Sequence, residues 1–552
     1  MRRSRVVAVA TGSAVVLGAL WLALPLMGSD LAAQVARADF FAAHGLTPID
    51  LRWYGGVQQF GYSLVSQPVM ALLGVRVTGA LALVASAAAL AALLVRSPVP
   101  RALLGSLVGV VTLTGNLVSG RVTYALGVAF GLAALLALTR GVPPRRRLAL
   151  AAVGALLASA TSPVAGLFVG LAGVALLLTR RYADGLTLAV AAAVPLAATA
   201  LLFGDGGWMN ISRTDTLRAV VTSLVVAALV AYRPVRVGAL LAAAGVLAAA
   251  LVHTPVGLNA TRLATMFALP VLAAAARPPA WLTARLARLA RRHADRPAPP
   301  NAARPDAAPP STATPERSRR ARLLGAVGLT ALLVAVCGWQ PPVVPADLRG
   351  IGDPISAPGY HAPLRAFLAG QRLTGRVEVP PTRNYWEAAR LGEVPLARGW
   401  LRQADIDRNP LFFTTVPGAT GTGVPLTPAS YRAWLAENAV QYVAVPDAPL
   451  SWVGRAEAEL VEGGLPYLTP VWSGAHWRVW AVADPTPLVA APAELVRADG
   501  AALTFRAPTA GPVAVRVRYS RWLAASGGAT VSADGVWSVV TVPHAGEYTV
   551  GS

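Results

Sequence analysis

The chain has 552 residues, of which 55% are hydrophobic and 13% are charged, and its mean hydropathy is +0.54. This composition is too apolar and too poor in charge for an ordinary soluble protein. The formal net charge is +22, but the arginines lie mostly between hydrophobic segments, so no nucleic-acid partner is predicted. The single cysteine, Cys337, excludes an internal disulfide and a cysteine-based metal site.

The first apolar run extends from Val6 to Met27, after the short basic start Met1 to Arg5. Its length is that of a helix that crosses a bilayer. A cleaved signal peptide is the alternative, but the run is long for one and lacks a clear small-residue cleavage motif. Arginines precede the run and acids follow it, which predicts a cytoplasmic N-terminus.

Ten further apolar spans follow along the chain. They run about 65–95, 102–118, 122–139, 148–161, 164–179, 185–203, 215–231, 236–252, 261–276 and 322–339. If each one crosses, the arginine-rich loops all fall on the cytoplasmic side. Around Thr161, Ser162 and Pro163 the sequence allows either one kinked helix or two short ones. The pattern predicts a polytopic α-helical protein of the plasma membrane with about eleven transmembrane helices.

The composition divides the chain into five parts. These are a multi-helix membrane domain at 1–276 whose first extracytoplasmic loop is 28–62, a basic and Pro-rich cytoplasmic linker at 277–321, a last transmembrane helix at 322–339, an extracytoplasmic α/β domain at 340–486, and a β-sandwich at 487–552. The linker includes a possible amphipathic surface helix at 281–293. In the α/β part we expect a helix starting within 363–370, a strand at 376–380, a helix at 430–438 and a strand at 440–446. Short alternating strands with Gly and Pro turns then indicate the sandwich.

The first candidate for chemistry is Asp30, which opens the first loop. A carboxylate at the mouth of a membrane helix is costly unless it faces water, a partner or a substrate. The same loop holds Asp39, Asp50, His44 and an aromatic-Gly cluster. Asp30 is therefore the residue around which we look for binding partners.

Further candidates lie in the other outward loops, notably Arg121, His253, Asn259 and Arg262. Guanidinium donors match phosphate oxygens, so arginines on the same side as Asp30 can hold an anionic phosphate. The alternative for each arginine is interfacial snorkelling or a salt bridge. Asn259 lies three residues before Arg262, so both are expected on one helix face.

With these residues the chain resembles the C-type superfamily of membrane glycosyltransferases (GT-C). The matching features are Asp30 after the first span, RWYGG at 52–56 and NATR at 259–262. The segments RNYWEAARL (383–391), YVAVPD (442–447), WRVWAVADPTPLV (477–489) and VRVRYSRWL (515–523) are similar to extracytoplasmic domains of bacterial GT-C-like integral membrane proteins.

The resemblance implies an inverting transfer of a sugar from a polyprenyl-phosphate-linked donor to a cell-envelope glycan or lipid acceptor. It assigns the general base to Asp30, with Asp39 in reserve, and such a base is worth roughly 10²–10⁴-fold in rate. Substrate and phosphate binding fall to Arg52, Trp53, Tyr54, Arg121, His253, Asn259 and Arg262. No cofactor or metal site is predicted, since the lipid-linked donor is a substrate; a divalent metal ion stays an open alternative.

Two other classes of function stay open. First-loop acids in the family often come as a close pair, and this loop has no such pair, so a non-catalytic protein of envelope polysaccharide assembly is one alternative. A multi-pass transporter is the other alternative, although the membrane half of this chain has no evident inverted repeat and little charge within its spans. Six tryptophans of the C-terminal part suit either sugar stacking or a hydrophobic core, and the core is favoured. They are Trp386, Trp400, Trp434, Trp452, Trp477 and Trp480.

The distribution of arginines makes a prediction about topology. Residues 340–552 should be extracytoplasmic and the linker at 290–320 cytoplasmic. Protease added to intact spheroplasts is expected to digest the C-terminal region and to leave the linker uncut until the membrane is permeabilised. Cleavage of the linker with protection of the C-terminal region would reverse the assignment.

Overall fold

The computed structural model describes residues 3–139, 143–204, 206–277, 315–341, 343–419 and 423–552. Most of the predicted linker, including the expected amphipathic helix at 281–293, lies outside the described residues. Helices make up the part before residue 340, and all strands but two short ones follow it.

The membrane part is a bundle of helices. These are α1 Arg3–Ala23, α2 Leu31–His44, α3 Ser66–Leu73, α4 Val75–Arg96, α5 Ala102–Val118, α6 Val122–Ala137, α7 Pro144–Thr161, α8 Pro163–Leu178, α9 Tyr182–Phe203, α10 Arg213–Leu229, α11 Arg233–Leu251, α12 Arg262–Ala275 and α13 Pro315–Trp339. Within the described ranges, five segments are long and apolar enough to cross a membrane: α1, α4, α9, α11, and α12 with the 3₁₀ turn before it. Shorter apolar helices accompany them, as expected for a multi-pass membrane protein. The number of crossings, about eleven, stays a prediction.

Three boundaries differ from the sequence-based expectation or decide between its alternatives. The predicted span 65–95 is two helices, because Gly74 at φ +84° interrupts it. The chain around Thr161 forms two helices, since Ser162 accepts a hydrogen bond from the Ala165 N–H and Pro163 occupies the first position of α8. The last helix begins at Pro315, within the predicted linker.

Small residues let the membrane helices pack closely. A side chain added at Gly173 of α8 or at Gly185 of α9 would lie within 2.8 Å of the other helix's backbone. A side chain added at Gly105 of α5 would come similarly close to the Ala274 side chain of α12. These close approaches bring the ends of neighbouring helices, and the loops that follow them, next to one another.

The C-terminal part contains three sheets. Its helices are α14 Val343–Leu348, α15 Pro358–Ala369, α16 Glu387–Arg390, α17 Arg402–Arg408, α18 Pro428–Glu437 and α19 Trp452–Glu462. With β1 Ile49–Asp50 and β2 Val57–Gln58 in the first loop, the strands continue as β3 Arg376–Glu378, β4 Val440–Pro446, β5 Leu468–Ser473, β6 Trp477–Val482, β7 Glu494–Ala498, β8 Ala502–Ala507, β9 Gly511–Arg518, β10 Ala524–Ala525, β11 Thr530–Asp534, β12 Trp537–Val542 and β13 Gly546–Gly551.

The first of these sheets has the order β3-β4-β6-β5, with β3 and β4 parallel and the other pairs antiparallel, and α-helices accompany it. The other two, β10-β13-β8-β7 and β11-β12-β9, are antiparallel and share one hydrophobic core, which includes Phe505, Val515, Val540 and Tyr548. The expected strand at 440–446 is β4, whereas the helix expected from 363 begins at Pro358.

A contact that we call the seam joins the first loop to the C-terminal part. In it the Leu396 N–H donates to the Arg52 carbonyl at 2.7 Å and the Tyr54 hydroxyl donates to the Gly399 carbonyl at 2.5 Å. Trp53 is fully buried between them, and a side chain at Gly399 would lie 2.5 Å from its ring. The seam therefore fixes segment 396–399 against residues 52–54.

Arg52 is held in the seam by Asp50. Its guanidinium donates to both carboxylate oxygens, with Nε to Oδ1 at 2.9 Å and Nη2 to Oδ2 at 2.7 Å, and also to the Ala36 carbonyl at 2.8 Å. Both side chains are buried, at 4% and 0% exposure. Such a two-pronged pair is strong because its geometry satisfies both charges.

Removing one member of this pair should therefore destabilise the protein. Asp50→Ala leaves the Arg52 charge buried without its partner, and we expect a loss of about 3–5 kcal/mol in stability. The measurement is the apparent Tm of the purified protein in detergent. The control Asp534→Asn, on an exposed hairpin, should change stability by less than about 0.5 kcal/mol. Equal Tm values for Asp50→Ala and the control would contradict the role given to the pair.

Candidate functional site

Asp30 lies in the tight turn that links α1 to α2. Its backbone N–H donates to the Ser119 carbonyl at 3.0 Å, which ties the turn to the end of α5. Gly28 has φ +104°, and a side chain there would lie 2.5 Å from the Ser119 backbone. The turn thus needs glycine at this position, and it presents the Asp30 side chain with 15% exposure.

Two arginines from different helix ends contact the same oxygen of Asp30. Arg121, just before α6, has its Nε at 3.3 Å from Oδ2, and Arg262, the first residue of α12, has its Nη2 at 3.5 Å from that atom. The Arg262 guanidinium also lies over the Tyr124 ring, 5.1 Å from its centroid. One carboxylate against two guanidinium groups leaves an excess positive charge at a partly exposed position.

The other carboxylate oxygen of Asp30 is less engaged. Its recorded contact is the Ser29 hydroxyl at 3.4 Å, which is at the long end for a hydrogen bond between oxygens. Oδ1 therefore has room to accept a further hydrogen bond.

The C-terminal part reaches the same turn. The indole N–H of Trp400 donates to the Ser29 carbonyl at 3.1 Å, and the Ser29 N–H donates to Oδ1 of Asp347 at 3.1 Å. Burial raises the pKa of Asp347, and the nearby charge of Asp30 acts in the same direction. Two segments that lie more than 300 residues later in the chain thus hold the backbone next to Asp30.

A third cation, Arg402, adds to the positive charge near Asp30. Burial disfavours its charged form, but Tyr385, Asp405 and Asp30 outweigh this effect and raise the pKa of Arg402. Its partner Tyr385 has an unusual positive φ of 57°. Arg402 begins α17, directly after Trp400 and Leu401, so the same stretch supplies an aromatic ring and a cation.

Polar residues of the first loop form hydrogen bonds and a cation–ring contact around Tyr62, next to the site. Gln34 donates to the Tyr62 hydroxyl at 3.0 Å and accepts from the Thr123 hydroxyl at 2.6 Å. The Arg37 guanidinium lies over the Tyr62 ring, 4.2 Å from its centroid. Burial and the charge of Asp30 raise the pKa of Tyr62, so its hydroxyl stays neutral.

A large cavity of about 1080 Å³ extends through the bundle between α4, α6, α8, α10, α11 and α12. Its lining is mostly apolar. One end reaches Tyr124 and Leu263, beside Arg262. The other end is lined by basic residues, namely Arg3, Arg96, Arg147, Arg181 and Arg277. The arginine-rich loops that the sequence places on one side therefore meet at the end of the bundle away from Asp30.

The structure does not bring all predicted site residues together. Asp30, Arg121 and Arg262 meet, as described above. Arg52, Trp53 and Tyr54 instead lie in the buried seam, where Arg52 is taken up by Asp50 and Trp53 and Tyr54 are 0% and 2% exposed. Their placement is structural, and we do not carry them into the proposed site.

Three more predicted residues lie beside the site or away from it. Asp39 is on the exposed side of α2, where its neighbouring charges are Arg52 and Arg390. His253 is exposed and stacks on Trp208, with ring centroids 4.1 Å apart. Asn259 is buried in the 3₁₀ turn before α12, and its carbonyl accepts from the Arg262 N–H. The sequence predicts that Asn259 and Arg262 share one face of a helix. In the structure Asn259 lies instead in the turn before α12, and Arg262 is the first residue of that helix.

The sequence-based search missed several residues of the site. Gln34, Tyr62 and Tyr124 are polar or aromatic residues without a motif, and Asp347 and Arg402 carry no local signal of chemistry. Trp400 was one of six tryptophans considered for sugar stacking, and nothing in its sequence context set it apart. Among the described residues no group of three His, Cys, Asp or Glu side chains is placed to hold a metal ion.

The chain is similar in structure to arabinofuranosyltransferase AftD from mycobacteria, solved by single-particle cryo-EM. The first match has 18% sequence identity, covers 92% of this chain and 41% of that chain, and has a TM-score of 0.42. A single-substitution mutant of AftD matches with 17% identity, 87% and 42% coverage, and a TM-score of 0.44. No family model and no curated protein matches the chain.

These neighbours are named as arabinofuranosyltransferases. The chain spans about two fifths of the length of each neighbour. TM-scores below 0.5 do not define a common fold in detail.

The buried carboxyl of Asp347 generates a prediction about pH. Because its folded-state pKa is raised, the folded protein binds this proton more tightly than the unfolded chain, and its contribution to stability is lost as the pH rises above about 4. Asp347→Asn removes the titration and keeps an acceptor for the Ser29 N–H. We expect the variant to have a higher Tm than wild type at pH 7 and a shrinking advantage toward pH 4.

The measurement is the apparent Tm of both proteins between pH 4 and pH 8. The comparison of the two proteins cancels the contributions of carboxylates that do not interact with Asp347. A variant that is less stable at pH 7, or a difference that does not change with pH, would contradict the assignment of a raised pKa to Asp347.

Proposed function

We propose that the protein is a membrane glycosyltransferase that transfers a sugar from a polyprenyl-phosphate-linked donor to a glycan or lipid acceptor of the cell envelope. The observation that carries the proposal is the meeting of Asp30 with Arg121 and Arg262 beside Tyr124, which lines a large apolar cavity. A charged, phosphate-compatible site next to an apolar cavity suits a substrate with a phosphate group and a long hydrocarbon chain.

The donor phosphate would lie against Arg121 and Arg262. Both side chains are about four-fifths buried, at 21% and 19% exposure, and each makes only one long contact with Asp30. Guanidinium groups at such distances keep donors available for phosphate oxygens. The excess positive charge favours an anion there, and it would also stabilise the phosphate that leaves.

The polyprenyl chain would occupy the cavity behind Tyr124. Its walls are helix faces rich in Leu, Val, Ala and Gly, which bury hydrocarbon favourably. The phosphate end then lies near Arg262, whose guanidinium covers the Tyr124 ring. The other end of the cavity carries basic side chains and is away from the reacting groups.

The proposed transfer is a single displacement. The acceptor hydroxyl oxygen forms a bond to the anomeric carbon of the donor while the bond from that carbon to the phosphate oxygen breaks. The bonding electron pair leaves with the phosphate, which gains negative charge next to Arg121 and Arg262. The hydroxyl proton passes to Oδ1 of Asp30, which the Ser29 hydroxyl contacts only at 3.4 Å.

The side of the membrane follows from the positive-inside rule. The end of the bundle with Arg3, Arg96, Arg147, Arg181 and Arg277 would face the cytoplasm. Asp30 and the C-terminal part would then face the outside, where envelope acceptors are. The transfer reaction is proposed for that side.

The role of Asp30 as base generates a kinetic prediction. Asp30→Asn should lower kcat for transfer by roughly 10²–10⁴-fold, since the amide cannot take up the proton. The donor KM should not rise, because removing the carboxylate leaves both guanidinium groups to the phosphate. The measurement is transfer by the purified protein with a panel of polyprenyl-phosphate pentoses and hexoses.

Two further variants complete the test. Asp534→Asn, on the exposed hairpin, serves as the matched control and should retain wild-type turnover. Asp39→Asn tests the reserve acid: loss of turnover there, with retention in Asp30→Asn, would move the base to Asp39. Absence of transfer by wild-type protein with every donor of the panel would overturn the proposed enzyme.

A further inference from the structure

The six tryptophans singled out in the C-terminal part occupy different environments. Four are core residues with 9% exposure or less: Trp386, Trp434, Trp477 and Trp480. Trp452 is exposed at 61%, at the start of α19. Only Trp400, among these six, is partly exposed and also touches the turn that carries Asp30.

The Trp400 ring is held in a defined orientation. Its N–H donates to the Ser29 carbonyl at 3.1 Å, so its polar edge is used. The ring meets Tyr62 edge to face, with centroids 6.1 Å apart and planes at 87°. Tyr62 is itself partly exposed and is fixed by its hydrogen bond from Gln34 and by Arg37. The rings of Trp400 and Tyr62 are therefore held in a defined arrangement beside the turn that carries Asp30.

The backbone before Trp400 is fixed by the seam. Leu396 pairs with Arg52, and Gly399 is closed in by Trp53 and Tyr54. A binding surface on rigid backbone loses little entropy when a ligand binds. The seam thus fixes the position of the Trp400 ring relative to the turn that carries Asp30.

Arg121 and Arg262 contact Oδ2 of Asp30 and suit the donor phosphate. The acceptor is therefore assigned to Oδ1, beside Ser29, whose carbonyl accepts the Trp400 N–H. A sugar ring has apolar C–H faces that pack on aromatic rings and hydroxyl groups around its edge that need polar neighbours, which Arg402 and Tyr62 provide.

We propose that Trp400, with Tyr62, forms the acceptor subsite, on which a sugar ring of the acceptor glycan stacks with one hydroxyl directed at Asp30. This inference rests on the proposed function for its reaction. It adds that the acceptor is recognised as a carbohydrate and that the C-terminal part contributes the recognising side chain.

A purely structural role for Trp400 makes a different prediction. If the residue served only to hold Ser29, Trp400→Phe and Trp400→Ala would be equally harmful, because both lose the N–H donor. If the ring binds sugar, Trp400→Phe keeps most of the binding and Trp400→Ala loses it. The two variants together separate the roles.

The test measures sugar binding without donor, by isothermal titration of the full-length protein in nanodiscs. The probes are a soluble methyl pentofuranoside disaccharide and a methyl hexopyranoside disaccharide. We expect Trp400→Ala to bind the preferred probe at least about tenfold more weakly than wild type and Trp400→Phe to remain within about threefold. The control Trp452→Ala, whose ring lies away from the site, should bind as wild type does.

Each result decides the proposal. Equal loss in Trp400→Phe and Trp400→Ala, unchanged binding in Trp400→Ala, or no saturable binding of either probe by wild type would overturn it. Because the assay contains no donor, sugar binding that depends on Trp400 would stand even if transfer were never observed. Transfer with a wild-type acceptor KM in Trp400→Ala would conversely leave the enzyme intact and remove this subsite.

Discussion

The hydrogen bond from Leu396 to the Arg52 carbonyl, with Trp53 closed against Gly399, is the contact on which the site depends. The Asp30 turn and Trp400 lie in separate parts of the chain, and neither part alone contains both. Because the seam is buried and is held by hydrogen bonds from the Leu396 N–H and the Tyr54 hydroxyl, it fixes their relative position. The aromatic-Gly stretch at 52–56 supplies the seam with the buried residues Arg52, Trp53 and Tyr54.

Two acid–arginine arrangements, in the first loop and next to it, differ in contact distance and burial, and this difference separates a structural pair from a candidate binding site. Asp50 and Arg52 make two short contacts at full burial, which uses the charges completely. Asp30 makes longer contacts with Arg121 and Arg262 at partial exposure. The charges of the first pair neutralise each other away from solvent. The second arrangement has an excess positive charge and a carboxylate oxygen with one long hydrogen-bond contact.

The sequence predicted the membrane bundle, the strand at 440–446 and the meeting of Asp30 with two later arginines, because hydropathy, alternation and loop charge are local signals. It could not separate Arg52 from Arg121, since both are loop arginines on the same side. The seam, which decides between them, is a contact between residues some 340 positions apart. Asp347, the carboxyl found beside Asp30, is also more than 300 residues away in the sequence, so no spacing in the first loop could indicate it.

The site lies where two different surfaces meet. The helix ends supply guanidinium groups next to an apolar cavity, and the C-terminal part supplies aromatic rings and a further cation. Ser29 contacts the C-terminal part through both its N–H and its carbonyl, one residue before the carboxylate that the arginines hold. A displacement of either part would therefore move this turn, and with it the distance between the acid and the groups around it. Such coupling suits the proposed reaction, in which a lipid-linked donor and a carbohydrate acceptor would both be in place at one carboxylate.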